Sequence, residues 1–358
     1  MIIDDSAAND RAIRLGLIGL GGVGALHFAA YQQSLRVNVV AAADVDRSRA
    51  ALLAGTPTAF HDDYRSLLAR DDLDAVCILT PAATHETIAI DCAASGRPML
   101  CEKPLAVDLD AVDRMIAACS AAKVMLFYGA SYRYLPAIMT ARAMIAAGAI
   151  GDVLVMREQV IGGAGLAQYR ELGPLHYPPG GPGGSGLGLM DHGIHLIDVF
   201  GWMCGAPVIA SSGAGNIAGA LPRPEWLSMT FANGALGLLT YHEGSFGTEL
   251  PAEGLFTNGA GWDANGFVAA GDWSATPGVI HVHGTTGALR IAHYANQLIH
   301  FDAEGPHQIA LTGRPSPLHF ATQIDAFADA LMGKGGEISA SVGRRALRIA
   351  LTAYPDNA

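Results

Sequence analysis

Charge and aromatic residues are scarce in this 358-residue chain: charged side chains make up 15% and aromatic ones 7%, against 51% hydrophobic residues. So little charge beside so much apolar surface excludes a disordered chain and requires large cores or a buried subunit interface. Long apolar runs are also missing. None approaches the roughly 18 residues of a membrane-spanning helix, and residues 1–12 are polar and acidic, without the basic and apolar regions of a leader. The expectation is a cytoplasmic protein with no membrane partner. Positive charge is in deficit, with 22 Lys and Arg against 33 Asp and Glu and a net charge of −11. That disfavours nucleic acid, because phosphate binding needs basic patches. The five cysteines, Cys77, Cys92, Cys101, Cys119 and Cys204, form an odd set without Cys-x-x-Cys spacing, so they read as reduced thiols. A metal centre could be imagined from Asp191, His195, His242, His281 and His283. However, His281 and His283 alternate on a strand and no His-x-x-x-His or thiolate set accompanies them, so no metal is expected.

Glycine, by contrast, is abundant, with 44 residues, and one cluster stands in a telling context. Gly19-Leu20-Gly21-Gly22-Val23-Gly24 follows an apolar run at 15–18 and precedes a helical stretch at 25–33. Gly19 suits the tight turn, Gly21 lets backbone N–H groups approach a pyrophosphate, and Gly24 allows close helix-strand packing. The next strand-like run, 37–43, ends in Asp44, whose carboxylate would accept hydrogen bonds from ribose hydroxyls and repel a 2′-phosphate. This favours NAD over NADP. Arg47, just beyond Val45, pulls the other way, since it could meet a phosphate.

Strand-like runs at 75–79, 97–100 and 124–128 alternate with helical stretches at 85–94 and 109–121, the pattern of a doubly wound parallel α/β sheet. Past about residue 150 the texture changes to longer strands at 153–161, 208–214, 226–231, 236–242 and 279–283, read as an antiparallel sheet with helices in an α+β domain. The division expected is 1–150 and 151–358. Two glycine-rich segments, 162–185 and 244–278, are long enough to be lids or binding loops.

Two further motifs carry chemistry. Cys101-Glu102-Lys103-Pro104 puts an ammonium at the end of a strand, where ligand-facing residues of open sheets sit; the bland reading is a solvated lysine before a turn proline. Asp191-His192-Gly193-Ile194-His195, with Asp198, would place residues 191, 195 and 198 on one helix face and turn His192 elsewhere. His195 is then a candidate general base with a carboxylate to orient it. The bland reading here is a helix N-terminal acid with core histidines.

Taken with His27, Thr80-Pro81, Thr84-His85, Ser-Tyr-Arg-Tyr around Arg133, Gly148 to Gly151 and the segment 284–289, these motifs make the chain resemble the Gfo/Idh/MocA oxidoreductases. That family contains glucose-fructose oxidoreductase and inositol dehydrogenase, and the match covers almost the whole chain. The resemblance implies an N-terminal Rossmann domain and a C-terminal α+β domain with an open, mainly antiparallel sheet that forms homodimers or homotetramers, with the site between them. It implies catalysis by Lys103, Asp191 and His195. It also implies NAD contacts from Gly19, Gly21, Gly22, Val23, Gly24, Asp44, Val45, Arg47, Thr80, Pro81, His85, Glu102, Lys103 and Arg133, and a cis Lys103-Pro104 bond. Ser131 departs from the more usual asparagine, and the 244–278 insertion leaves the substrate open.

The activity implied is NAD-dependent oxidation of a secondary hydroxyl of a sugar, sugar derivative or polyol. Tyr169, Arg170, His176, Tyr177, Trp262 and Trp273 are candidate substrate contacts, against the reading that they pack their own loops. An NAD-dependent glycosidase of the same superfamily and a non-catalytic sugar-sensing regulator are the alternatives.

Overall fold

The computed structural model describes residues 11–161, 188–215, 224–242 and 279–354. The expectations placed on Tyr169, Arg170, His176, Tyr177, Trp262 and Trp273, and on both glycine-rich segments, lie outside the described residues.

The chain forms two compact units. The first takes residues up to Ser131 and then Pro317–Arg344. Its sheet has six strands: β1 (Ile13–Ile18), β2 (Val37–Ala43), β3 (Ala59–His61), β4 (Ala75–Ile78), β5 (Met99–Glu102) and β6 (Leu126–Gly129). All pair in parallel in the order β3-β2-β1-β4-β5-β6. Every residue of β4, β5 and β6 is buried, because a parallel sheet is covered on both faces and its strands lose the apolar-polar alternation. Connecting helices include Gly22–Tyr31, Ala82–Ala94 and Leu109–Ala122. The last begins where Asp108 accepts the Ala111 amide at 2.7 Å and ends at Lys123, which adopts the left-handed conformation at φ 56°. The chain leaves β1 toward β2 and β3, then returns to build β4 on the other side. A crevice opens at the carboxyl ends of β1 and β4 for that reason.

The second unit takes Tyr132–Ser316 and residues from Arg345 on. Its eight strands are β7 (Val153–Ile161), β8 (Val208–Ala214), β9 (Glu225–Phe231), β10 (Leu236–His242), β11 (Val279–Gly284), β12 (Ala288–Ala292), β13 (Gln297–Asp302) and β14 (Gly305–Gln308). They are ordered β14-β13-β12-β11-β7-β10-β9-β8. Pairing is antiparallel throughout except between β7 and β10, which run parallel. One face of the sheet buries Met156, Leu227, Met229, Leu239, Ile280, Val282, Leu289 and Ile291, and the helix Ile194–Cys204 contributes the buried Leu196, Val199 and Phe200 to this core.

The division differs from the expected break at residue 150. The helix Pro136–Ala146 packs on β12 and on the helix Ile194–Cys204, and Gly151 is locked against Thr285 and Thr286, so residues from 132 on belong to the second core. Conversely, the helix His319–Leu331 returns to the first unit, where the Phe320 and His27 rings lie 4.0 Å apart and the Ser34 hydroxyl donates to Asp325 at 2.5 Å.

Candidate active site

In the first unit, a cavity of about 770 Å³ opens at the β1/β4 crevice, lined by Gly19, Gly21, Asp44, Val45, Thr80 and Pro81 among others. Its floor is built by the glycines. Gly19 has φ +99°, and a Cβ there would sit 2.9 Å from the Leu79 carbonyl. A Cβ on Gly24 would lie 2.2 Å from the Gly19 oxygen, whereas one on Gly21 would meet nothing within 4 Å. The backbone at Gly21 therefore faces open space at the start of the helix Gly22–Tyr31, where amide N–H groups and the helix dipole favour an anion. Asp44 braces the same turn, accepting from the Leu20 amide at 2.7 Å and the Asp46 amide at 2.8 Å. Gly22 and Val23 form the first turn of the helix.

Arg47 is placed differently from the phosphate contact considered above. It is ion-paired with Asp62, which lines the cavity together with Asp44 and Asp63. Arg65 lines the cavity too, 3.0 Å from Asp91, so three carboxylates face one guanidinium that is already ion-paired, a balance that opposes a 2′-phosphate.

The lysine follows directly on β5, and the Lys103-Pro104 bond is cis. Glu102 is buried; one carboxylate oxygen accepts the Lys103 amide at 3.1 Å and the other lies 3.1 Å from His27 Nε2. His27 Nδ1 in turn lies 2.7 Å from the Tyr31 hydroxyl. His85 is also buried, with Nε2 2.7 Å from the Thr80 carbonyl and Nδ1 3.0 Å from the Pro104 carbonyl. Burial pushes its imidazole below the ordinary histidine value, against those carbonyl contacts and Glu102. Glu102 and His85 thus tie the lysine turn to the His27 ring and to the Thr80 carbonyl.

In the second unit, Asp191 lies in a π-helical turn, Gly188–Gly193, and the α-helix starts only at Ile194. Such turns are uncommon and cluster at functional sites. Glu225 shapes this one: it accepts the Leu189 amide at 2.9 Å and the Tyr354 hydroxyl at 2.6 Å, and Gly188 has no room for a Cβ beside it. Asp191 and His195 are both buried, at 3% and 5% exposure. The His195 ring stacks flat on Tyr132, with centroids 3.7 Å apart and planes at 6°.

The expected face of residues 191, 195 and 198 spans the π-helical turn, which carries Asp191, and the helix Ile194–Cys204, which carries His195 and Asp198. Asp198 is held by Arg133, whose Nε and Nη2 donate to its two oxygens at 2.7 and 2.6 Å. Arg133, expected at the cofactor, spends this fork on the helix Ile194–Cys204 and lies over the Trp202 ring at 5.1 Å.

Sequence reasoning passed over Tyr132, Glu158, His192 and His293. Glu158 is fully buried on β7. Burial pushes its carboxyl up, but His192, His293 and the Tyr241 hydroxyl together hold it below the usual carboxylate value. The available signal was a carboxylate sharing the inward face of β7 with Met156. Burial lowers His293 to about 4, against the pull of Glu158.

The sign of the His293 effect follows from proton counting. Between pH 6.5 and about 4 the unfolded chain protonates this imidazole while the folded chain does not, so stability is lost as pH falls through that window. Urea unfolding followed from pH 7 to pH 4 is expected to show a His293 contribution of up to about 1.4 kcal/mol per pH unit. His293→Asn should flatten the slope by that amount; an unchanged slope would remove His293 from the balance.

Residues 13–130 match the model described as the oxidoreductase family, NAD-binding Rossmann fold, and residues 138–290 match the GFO/IDH/MocA C-terminal domain. The chain is 28% identical to inositol 2-dehydrogenase 2 of Saccharopolyspora erythraea over 223 residues, 61% of this chain and 62% of that one. It is 37% identical to inositol 2-dehydrogenase of Acidothermus cellulolyticus over 155 residues, 41% and 45% of the two chains. It thus spans about half the length of the curated relatives it matches. The fold is shared with an oxidoreductase from Agrobacterium radiobacter solved in complex with NAD+, L-tartaric acid and magnesium. The TM-score is 0.73 at 18% identity, over 97% of this chain and 96% of that one.

Proposed function

The chain belongs to the GFO/IDH/MocA oxidoreductase family, and from that premise we propose that it is an NAD-dependent dehydrogenase oxidising a secondary hydroxyl of a sugar, sugar derivative or inositol-like polyol. The observation that carries this reading is the cavity at the β1/β4 switch point, where an open glycine cradle, a helix N-terminus and Asp44 meet. The inositol 2-dehydrogenase relatives support the substrate class.

Gly19, Gly21 and the first turn at Gly22, Val23 and Gly24 would hold the pyrophosphate, Asp44 and Val45 the adenosine end, and Thr80 and Pro81 the opposite wall. When bound, NAD supplies a hydride acceptor. The protein supplies the rest. His195 takes the hydroxyl proton, Asp191 orients the reacting groups, and the Lys103 ammonium anchors the hydroxyl and stabilises developing alkoxide charge. Specificity is assigned to residues 162–185 and 244–278, including Tyr169, Arg170, His176, Tyr177, Trp262 and Trp273. Assembly as a homodimer or homotetramer belongs to the same reading. It is supported by Trp226 and Phe301, 41% and 38% exposed on the sheet of the second unit.

A panel of inositols, aldoses and sugar acids scored for NADH formation tests the reading; no reduction of NAD with any member would refute it. NADH building up with free sugar also separates a dehydrogenase from a glycosidase, which turns over no net cofactor. NAD is expected to be preferred over NADP by about tenfold or more in kcat/KM, since a phosphate beside these carboxylates is repelled. Asp44→Asn should narrow that ratio, and a higher kcat/KM with NADP would overturn the assignment of Asp44.

A further inference from the structure

The phenol ring beneath His195 is not an isolated core side chain. Its hydroxyl lies 3.2 Å from His192 Nδ1 and also contacts the Tyr294 hydroxyl. His192 Nε2 lies 2.8 Å from Glu158 Oε2, and the same oxygen accepts the Tyr241 hydroxyl at 2.9 Å. These side chains are all buried: Glu158 at 1%, His192 at 0%, Tyr132 at 4% and Tyr241 at 1% exposure.

An ionised carboxylate can only accept, so His192 Nε2 must carry a proton. In the neutral ring, Nδ1 then accepts from Tyr132. The Tyr132 hydroxyl, donating to His192, accepts from Tyr294. With the ring neutral each donor in this chain finds one acceptor, whereas a charged ring would reverse the donors between His192, Tyr132 and Tyr294.

We propose that Glu158 and His192 are positioning residues that hold Tyr132 as a fixed plate under His195, and that this plate sets the orientation of the imidazole acting as base. The proposal rests on the dehydrogenase reading above. Stability alone is a poor reason for such an arrangement, because a buried carboxylate-imidazole pair gains little over apolar packing of the same volume. What the chain does supply is direction. It leads from strand β7 through the π-helical turn to the one face of the His195 ring that the phenol covers at 3.7 Å. An electron-rich face there also meets the positive charge that His195 acquires when it takes a proton.

The test compares Glu158→Gln, Tyr132→Phe and Tyr132→Leu with the wild-type full chain, using kinetics on the best substrate of the polyol panel and nitrogen NMR of the histidine rings. Phe keeps the plate and cuts it from the chain; Leu removes the plate. The expected result is a kcat lower by about tenfold in Glu158→Gln and Tyr132→Phe and by about 10²-fold in Tyr132→Leu, with KM for NAD within about twofold of wild type. Phe keeps the ring volume at Tyr132, so a loss of kcat in Tyr132→Phe with NAD binding intact is a response that loss of core packing does not produce. The NMR arm needs no turnover: His192 is expected as a single Nε2–H tautomer, and Tyr132→Leu is expected to shift or broaden the His195 signals. Wild-type kcat in both Glu158→Gln and Tyr132→Phe, even with lowered stability, would overturn the proposal. Unchanged His195 signals in Tyr132→Leu would do the same. An inactive wild type would refute the dehydrogenase reading instead, and the NMR arm would still decide for or against the plate.

Discussion

Lys103→Ala and His195→Ala are each expected to lower the kcat of alcohol oxidation by at least about 10²-fold while leaving the fold and NAD binding intact. The reason differs for the two. Lys103 is half-buried at the carboxyl end of β5, and its main chain is fixed on both sides: Glu102 accepts its amide and His85 contacts the next carbonyl. Removing the ammonium takes charge from the alkoxide without disturbing that frame, so the loss is expected in kcat more than in KM for NAD. His195 stacks on Tyr132 inside the second unit, and alanine there removes the proton acceptor while Tyr132 keeps its hydroxyl contacts. Fluorescence titration with NADH checks cofactor binding, and the substrate panel checks turnover. Turnover near wild type in either variant would remove that residue from the mechanism.

Much of this was legible in the chain because the signals are local. Gly19 to Gly24 followed by Asp44 specifies backbone conformations and one carboxylate at fixed offsets, and the structure brings Gly19, Gly21 and Asp44 to one cavity. The runs at 37–43, 153–161, 208–214 and 236–242 are strands with the bounds read from their apolar pattern. Where the reading slipped, a distant partner had changed the meaning of a residue. The strand expected to end at Leu100 runs to Glu102, since His27 gives that carboxylate a buried companion. The face shared by Asp191, His195 and Asp198 assumed one unbroken α-helix; Glu225 instead holds a π-helical turn at Leu189, and Arg133 takes Asp198. None of these partners lies near its target in sequence. The short strands β3, β12, β13 and β14 were missed because polar residues break their apolar runs, unlike those of the equally short β4 and β5, and three to six residues then give no periodicity to count.

Gly21→Ala and Gly24→Ala are expected to separate cofactor binding from folding, although the two glycines sit three residues apart in one motif. Alanine at Gly21 meets no protein atom within 4 Å and finds an extended backbone, φ −63° and ψ −165°, that it adopts freely. Its methyl group instead fills the space through which a pyrophosphate must approach the helix N-terminus. Stability is expected to stay at the wild-type value while the Kd for NADH rises by at least about tenfold, some 1.4 kcal/mol of binding. Alanine at Gly24 places its methyl 2.2 Å from the Gly19 carbonyl oxygen. That neighbour is backbone, in a turn at φ +99° that cannot swing aside as a side chain would. The helix Gly22–Tyr31 must therefore lift from β1, and overpacking of this kind typically costs about 1–3 kcal/mol, so both the urea midpoint and NADH affinity are expected to fall. Equal NADH binding by Gly21→Ala and the wild type would mean that no pyrophosphate rests on this turn, and the assignment of the cavity to NAD would fall with it.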